Sequence, residues 1–77
     1  MPRQLHSTKY AKLREVLTNE RLAAGITQTA LAERLKRPQS FVSKFEIGQR
    51  NLDVIEFIDM CKAIGIEPRV ILGKVTL

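Results

Sequence analysis

The chain has 77 residues, a net charge of +5 and a single cysteine. That length holds one small domain, and 44% hydrophobic with 27% charged residues is the balance of a globular protein in water. The longest apolar run is Val70, Ile71 and Leu72, far below the roughly 20 residues of a membrane span. Residues 1–10 lack the apolar stretch of a signal peptide. A lone cysteine forms no internal disulfide and suits a reducing compartment, so a cytoplasmic location is expected. One histidine and one cysteine also exclude the common zinc clusters; no metal and no cofactor are expected.

The charge is unevenly spread. Residues 34–50 carry Arg34, Lys36, Arg37, Lys44 and Arg50 against Glu46, whereas residues 51–67 carry Asp53, Glu56, Asp59 and Glu67 against Lys62. A basic island beside an acidic segment suggests one face for an anionic polymer and another kept away from it.

In chain order, residues 1–7 read as a flexible arm. A first helix is expected over residues 8–24, capped by Ser7 or Thr8, with Leu13, Val16, Leu17, Arg21 and Ala24 on one stripe and Gly25 as the stop. Thr27 caps a second helix over residues 28–36, whose buried stripe is Leu31, Ala32 and Leu35. Arg37-Pro38 breaks it, because the residue before proline avoids the helical region. A third helix over residues 39–47 turns Val42, Phe45 and Glu46 one way and Gln39, Ser40, Ser43 and Lys44 the other, and Gly48 ends it. A fourth, capped by Asn51 or by Asp53 with Glu56 at capping-box spacing, runs to Ile64. Residues 67–77 are ambiguous: Pro68 and the residues after it permit a helix, while Gly73 and the β-branched residues permit a strand. The fold class is therefore all-α, a compact four- to five-helix domain over residues 8–66 with a C-terminal tail over 67–77.

Helices two and three are short and separated by a tight turn, which is the helix-turn-helix arrangement. The run Thr27-Gln28-Thr29-Ala30-Leu31-Ala32-Glu33-Arg34-Leu35, followed by Gln39-Ser40-Phe41-Val42-Ser43-Lys44-Phe45-Glu46-Ile47-Gly48, resembles the lambda-repressor-like DNA-binding domain of Cro/Xre-type regulators, a family among the standard examples of helix-turn-helix docking. The resemblance covers about residues 9–66. It implies double-stranded DNA as partner and a palindromic operator read through the major groove. It places Gln39, Ser40 and Lys44 at base-reading positions with Ser43 beside them, and Gln28 at the start of helix two, where a phosphate can be met. Arg37, Gln49, Arg50 and Asn51 flank the reading helix and are expected on the DNA backbone. Phe41 is open between a thymine methyl and the core. Two positions depart from the family pattern. Lys36 stands where a glycine is usual in the turn, so an altered turn is expected, and Pro38 stands where a capping residue is usual.

Arg21 and Glu46 each fall on an otherwise apolar stripe. A buried charge is costly unless paired, and the resemblance implies an Arg–Glu bridge at these positions, so a structural salt bridge is expected. The apolar excess on helix four and the tail, namely Phe57, Met60, Ile64, Val70, Ile71 and Leu72, suggests the interface of a homodimer. The alternative is a tail folded back over helices one and four. The functional reading is a small bacterial or phage transcriptional regulator. The competing readings are an antitoxin or other protein-interaction module whose partner is a toxin, and a restriction-modification controller protein. An enzyme is not expected: no nucleophile–base pair, phosphate loop or catalytic carboxylate pair is legible.

Overall fold

The computed structural model describes residues 7–76; residues 1–6, which hold most of the expected arm, and residue 77 lie outside the described residues. Among the described residues, five helices follow one another: α1 (Thr8–Ala23), α2 (Gln28–Leu35), α3 (Gln39–Glu46), α4 (Val54–Ile64) and α5 (Pro68–Thr76). The domain measures 34 × 24 × 20 Å.

Side-chain caps explain three of the starts. Ser7 Oγ accepts from the Tyr10 amide at 3.1 Å, and Thr27 Oγ1 accepts from the Ala30 amide at 3.0 Å. Asp53 and Glu56 form a complete capping box: the Glu56 amide donates to Asp53 Oδ1 at 2.7 Å, and the Asp53 amide donates to Glu56 Oε1 at 3.0 Å. Helix α3 differs, because Pro38 stands at its N-cap and supplies no side-chain acceptor. The first three helices stop one residue before the ends their patterns suggest, with Ala24, Lys36 and Ile47 serving as caps.

The turn between α2 and α3 keeps a left-handed residue despite the missing glycine. Lys36 adopts φ 57 and ψ 42, and the Arg37 amide closes the turn on the Ala32 carbonyl at 3.0 Å. The expectation of an altered turn is thereby corrected: the closing hydrogen bonds hold a lysine in a conformation that costs it about 1 kcal/mol or more. After α3, Gly48 has φ +85, and a Cβ there would lie 3.3 Å from the Arg14 guanidinium carbon, so the position combines a glycine backbone with a close approach.

The core draws on all five helices. Leu17, Leu31, Val42, Phe45, Met60, Cys61 and Ile71 are its fully buried members, and Ala32 admits α2 closely to its neighbours. Helix α4 packs against α1, α2 and α5, and α5 lies along α1 and α4. The ambiguous tail is therefore a helix folded back on the domain. This corrects most of the expected dimer surface. Phe57, Met60, Ile64 and Ile71 are 9%, 1%, 8% and 0% exposed; they are core, since α4 is central and is covered on several sides. Val70 and Leu72 do remain exposed, and so do Ile47, Val54 and Ile55.

Burial pushes the Cys61 thiol up to about 11, the behaviour of a small apolar core residue. Among the described residues, no group of acidic, histidine or cysteine side chains could hold a metal ion, and no helix is long and apolar enough to cross a membrane.

Candidate nucleic-acid interface

Helix α3 has two faces. Val42 and Phe45 sink into the core, while Gln39, Ser40 and Lys44 are exposed and Ser43 is half-buried. Ser43 Oγ donates to the Ser40 carbonyl at 3.3 Å, so this hydroxyl is partly spent inside the helix. The outer face is short, polar and basic, and a single helix fits a major groove about 12 Å wide.

What fixes this helix is a polar cluster on its inner side. Arg21, reaching from α1, donates through Nε to Glu46 Oε2 at 2.7 Å and through Nη2 to Glu46 Oε1 at 3.0 Å. Its Nη1 donates to the Ile26 carbonyl at 2.8 Å. Both side chains are less than a tenth exposed, and the two-pronged pairing suits the planar guanidinium. Gln28 joins from α2: its Nε2 donates to Glu46 Oε1 at 2.8 Å, and its Oε1 accepts from Gln39 Nε2 at 3.2 Å. Three helices thus meet on one carboxylate, and the last link reaches the outer face of α3.

A second cluster grips both flanks of α3. Arg37 precedes the helix and Arg50 follows it, and both converge on Glu56 at the start of α4. Arg50 donates to Glu56 Oε1 and Oε2, each at 2.9 Å, and Arg37 donates to Oε2 at 3.0 Å. The ring of Phe41 lies between them, with the guanidinium carbons 4.4 Å and 4.5 Å from its centroid. Hydrogen bonds from Arg50, the Asp53 amide and Arg37 hold the Glu56 carboxyl down at about 2, against the opposing effect of burial. The same pairing with Glu56 raises the Arg50 pKa.

These positions refine the roles expected of individual residues. Phe41 is buried beneath two arginines, which removes the thymine-methyl option. Arg50 also donates to the Asn51 carbonyl at 2.8 Å, so much of its guanidinium is engaged within the chain. Asn51 is half-buried with its Oδ1 turned from solvent, while Gln49 is exposed. Glu56 is the residue that sequence reasoning missed as a hub, because its capping-box spacing already accounted for it. The ion pair between Lys74 on α5 and Glu20 on α1, at 2.8 Å, was likewise not legible.

The family model described as Helix-turn-helix matches residues 17–71. Among solved structures, an XRE-family like protein from Pseudomonas syringae pv. tomato str. DC3000 is 54% identical with a TM-score of 0.88, over 92% of this chain and 87% of that one. The restriction-modification controller protein C.AhdI from Aeromonas hydrophila is 31% identical with a TM-score of 0.77, over 84% of this chain and 98% of that one. The C.Esp1396I controller, solved as a tetramer in complex with its natural 35 base-pair operator, shares the fold at 24% identity with a TM-score of 0.84, over 92% and 93% of the two chains. No curated protein gives a significant sequence match. With the family model spanning most of its length and a close structural relative over nearly all of it, the chain belongs to the Xre-type, lambda-repressor-like helix-turn-helix family.

Proposed function

We propose that the protein is a sequence-specific double-stranded DNA-binding regulator of transcription. The observation that carries this reading is α3 itself: its inner face is locked by Glu46 and Phe45, and its outer face presents Gln39, Ser40 and Lys44 to solvent between two arginines. Gln39 suits the N6 and N7 edge of adenine, and Lys44 suits guanine O6 and N7. Ser40 and Ser43 line the same face. Gln28, Gln49 and the parts of Arg37 and Arg50 left free by Glu56 face the phosphates, with Asn51 supporting Arg50 from behind. Operator binding by the C.Esp1396I tetramer supports the reading for this fold, and the 31% identity to C.AhdI favours a controller-type regulator as its narrower form.

One α3 reads only a few base pairs, so useful specificity calls for two copies with half-sites about 34 Å apart. A homodimer follows as part of the proposal. Its apolar contacts come from residues left outside the core: Val54 and Ile55, 71% and 65% exposed, with Val70 and Leu72. Sedimentation at micromolar concentration reads this directly, and a monomer there counts against it.

Selection of bound duplexes from a random pool tests the function. A palindromic consensus is expected, with affinity falling steeply as salt rises. Lys44→Ala relaxes the preference at one base position in each half-site. Gln49→Ala weakens all sequences alike. A pool that yields no consensus overturns the reading.

A further inference from the structure

Arg37 and Arg50 share one carboxylate, but they are not spent equally. A guanidinium has five N–H donors, and a carboxylate has about four acceptor sites. Arg50 Nη1 donates twice, to the Asn51 carbonyl at 2.8 Å and to Glu56 Oε1 at 2.9 Å, and its Nη2 donates to Glu56 Oε2 at 2.9 Å. Arg37 gives one bond, from Nη2 to Glu56 Oε2 at 3.0 Å. The Asp53 amide takes the other place on Oε1 at 3.0 Å. Each oxygen of Glu56 thus accepts twice, and Arg37 holds a single site on a carboxylate that Arg50 grips with two. Exposure follows the same order: the side chain of Arg37 is 43% exposed, that of Arg50 35% and that of Glu56 13%. The Phe41 ring steadies Arg37, whose guanidinium carbon lies 4.4 Å from its centroid just ahead of α3.

Charge completes the argument. Two guanidinium groups against one carboxylate leave a single positive charge beside α3. Without Arg50 the sum is zero. Glu56 would then have two open acceptor sites and would take Arg37 with two prongs, the strong arrangement for this pair. The Arg37 charge would be cancelled where a phosphate needs it. We propose that Arg37 is the arginine that meets a DNA phosphate, and that Arg50 is a positioning residue: it occupies Glu56 and so keeps Arg37 available. Arg50 need not touch DNA to do so. The proposal rests on the DNA-binding reading above and narrows it from two flanking arginines to one.

The salt dependence of duplex affinity is the readout. Each neutralised phosphate adds about 0.9 to its logarithmic slope, whereas lost stability in a protein that stays folded leaves the slope alone. The full chain is titrated with salt on one duplex recovered from the random-pool selection. Arg37→Ala is expected to make the slope shallower by about 0.9 and to weaken all sequences alike. Arg50→Ala does the same, although its side chain meets no phosphate; Arg50→Gln, which keeps a donor for the Asn51 carbonyl, replaces it if the alanine protein does not fold. Adding Glu56→Gln to Arg50→Ala restores the slope, because glutamine still serves the capping box and no longer captures Arg37. Adding Glu67→Gln instead restores the same net charge past the far end of α4 and leaves the slope shallow. If the Arg50→Ala, Glu56→Gln protein stays as shallow as Arg50→Ala alone, Arg50 itself holds the phosphate; the proposal is overturned and the DNA-binding reading stands. An unchanged slope in Arg37→Ala or in Arg50→Ala has the same consequence, and so does recovery by Glu67→Gln. A selection that yields no consensus removes both.

Discussion

The α1–α5 seam and the corner where α2, α3 and α4 meet are built from different materials. Along the seam, Ile71 is fully buried and Leu13 and Val75 pack against the core, with one exposed pair, Lys74–Glu20, across the outside. At the corner, two carboxylates gather three arginines and a glutamine at distances of 2.7–3.0 Å. Apolar burial is non-directional; it holds the seam together without fixing any one side chain. Hydrogen bonds to charged groups are directional and short. The chain places them where a helix has to be held at one angle and one rotation. Stability and aim are thus supplied by separate parts of the same small domain.

That contrast can be broken from either side. Glu46→Ala leaves the Arg21 guanidinium buried without its partner, a loss of about 3–5 kcal/mol; thermal melting at constant pH checks it, and a change near zero would mean the corner carries no such load. Ile71→Ala in the seam costs about 2–5 kcal/mol by cavity formation, but a variant kept folded at low temperature is expected to retain its base preferences, as duplex competition would read out. Glu56→Gln retains a capping side chain and loses the charge that gathers Arg37 and Arg50, for about 1 kcal/mol. Because the Glu56 carboxyl is held down at about 2 rather than at the usual 4.5, its contribution is complete above pH 4.5 and is lost as pH falls toward 2. Melting temperature in that window should therefore fall less steeply for Glu56→Gln than for the unaltered chain. Lys74→Ala, at the exposed pair, changes stability by about 0.2–1 kcal/mol at most and leaves duplex binding unchanged; a larger effect would place α5 in the reading machinery.

The parts of this architecture that a sequence can reveal are those with a local signature. Ser7, Thr27 and Asp53 announce three helix starts because capping is a contact across three residues. Arg21 and Glu46 stand out because a charge at an apolar phase of a helix calls for a partner. Helix α4 misleads for the opposite reason. Phe57, Met60 and Ile64 make it apolar nearly all round, and periodicity alone does not separate a central helix covered by α1, α2 and α5 from one with a vacant side. The tail is similar: Ile71 has a partner only because α5 folds back, a fact of tertiary packing. Glu56 stayed hidden because the arginines that use it sit on either side of another helix, and no fixed spacing connects them.

Lys36 carries a trade-off of its own. A glycine at this joint would relieve the left-handed strain, yet it would also delete one cation from the basic stretch that precedes α3. Each cation that neutralises a phosphate steepens the dependence of duplex affinity on ionic strength. The linker thus accepts conformational discomfort in exchange for electrostatic reach, and a Lys36→Gly protein is expected to melt higher while holding duplex less tightly at low ionic strength, with an affinity that falls less steeply as salt rises.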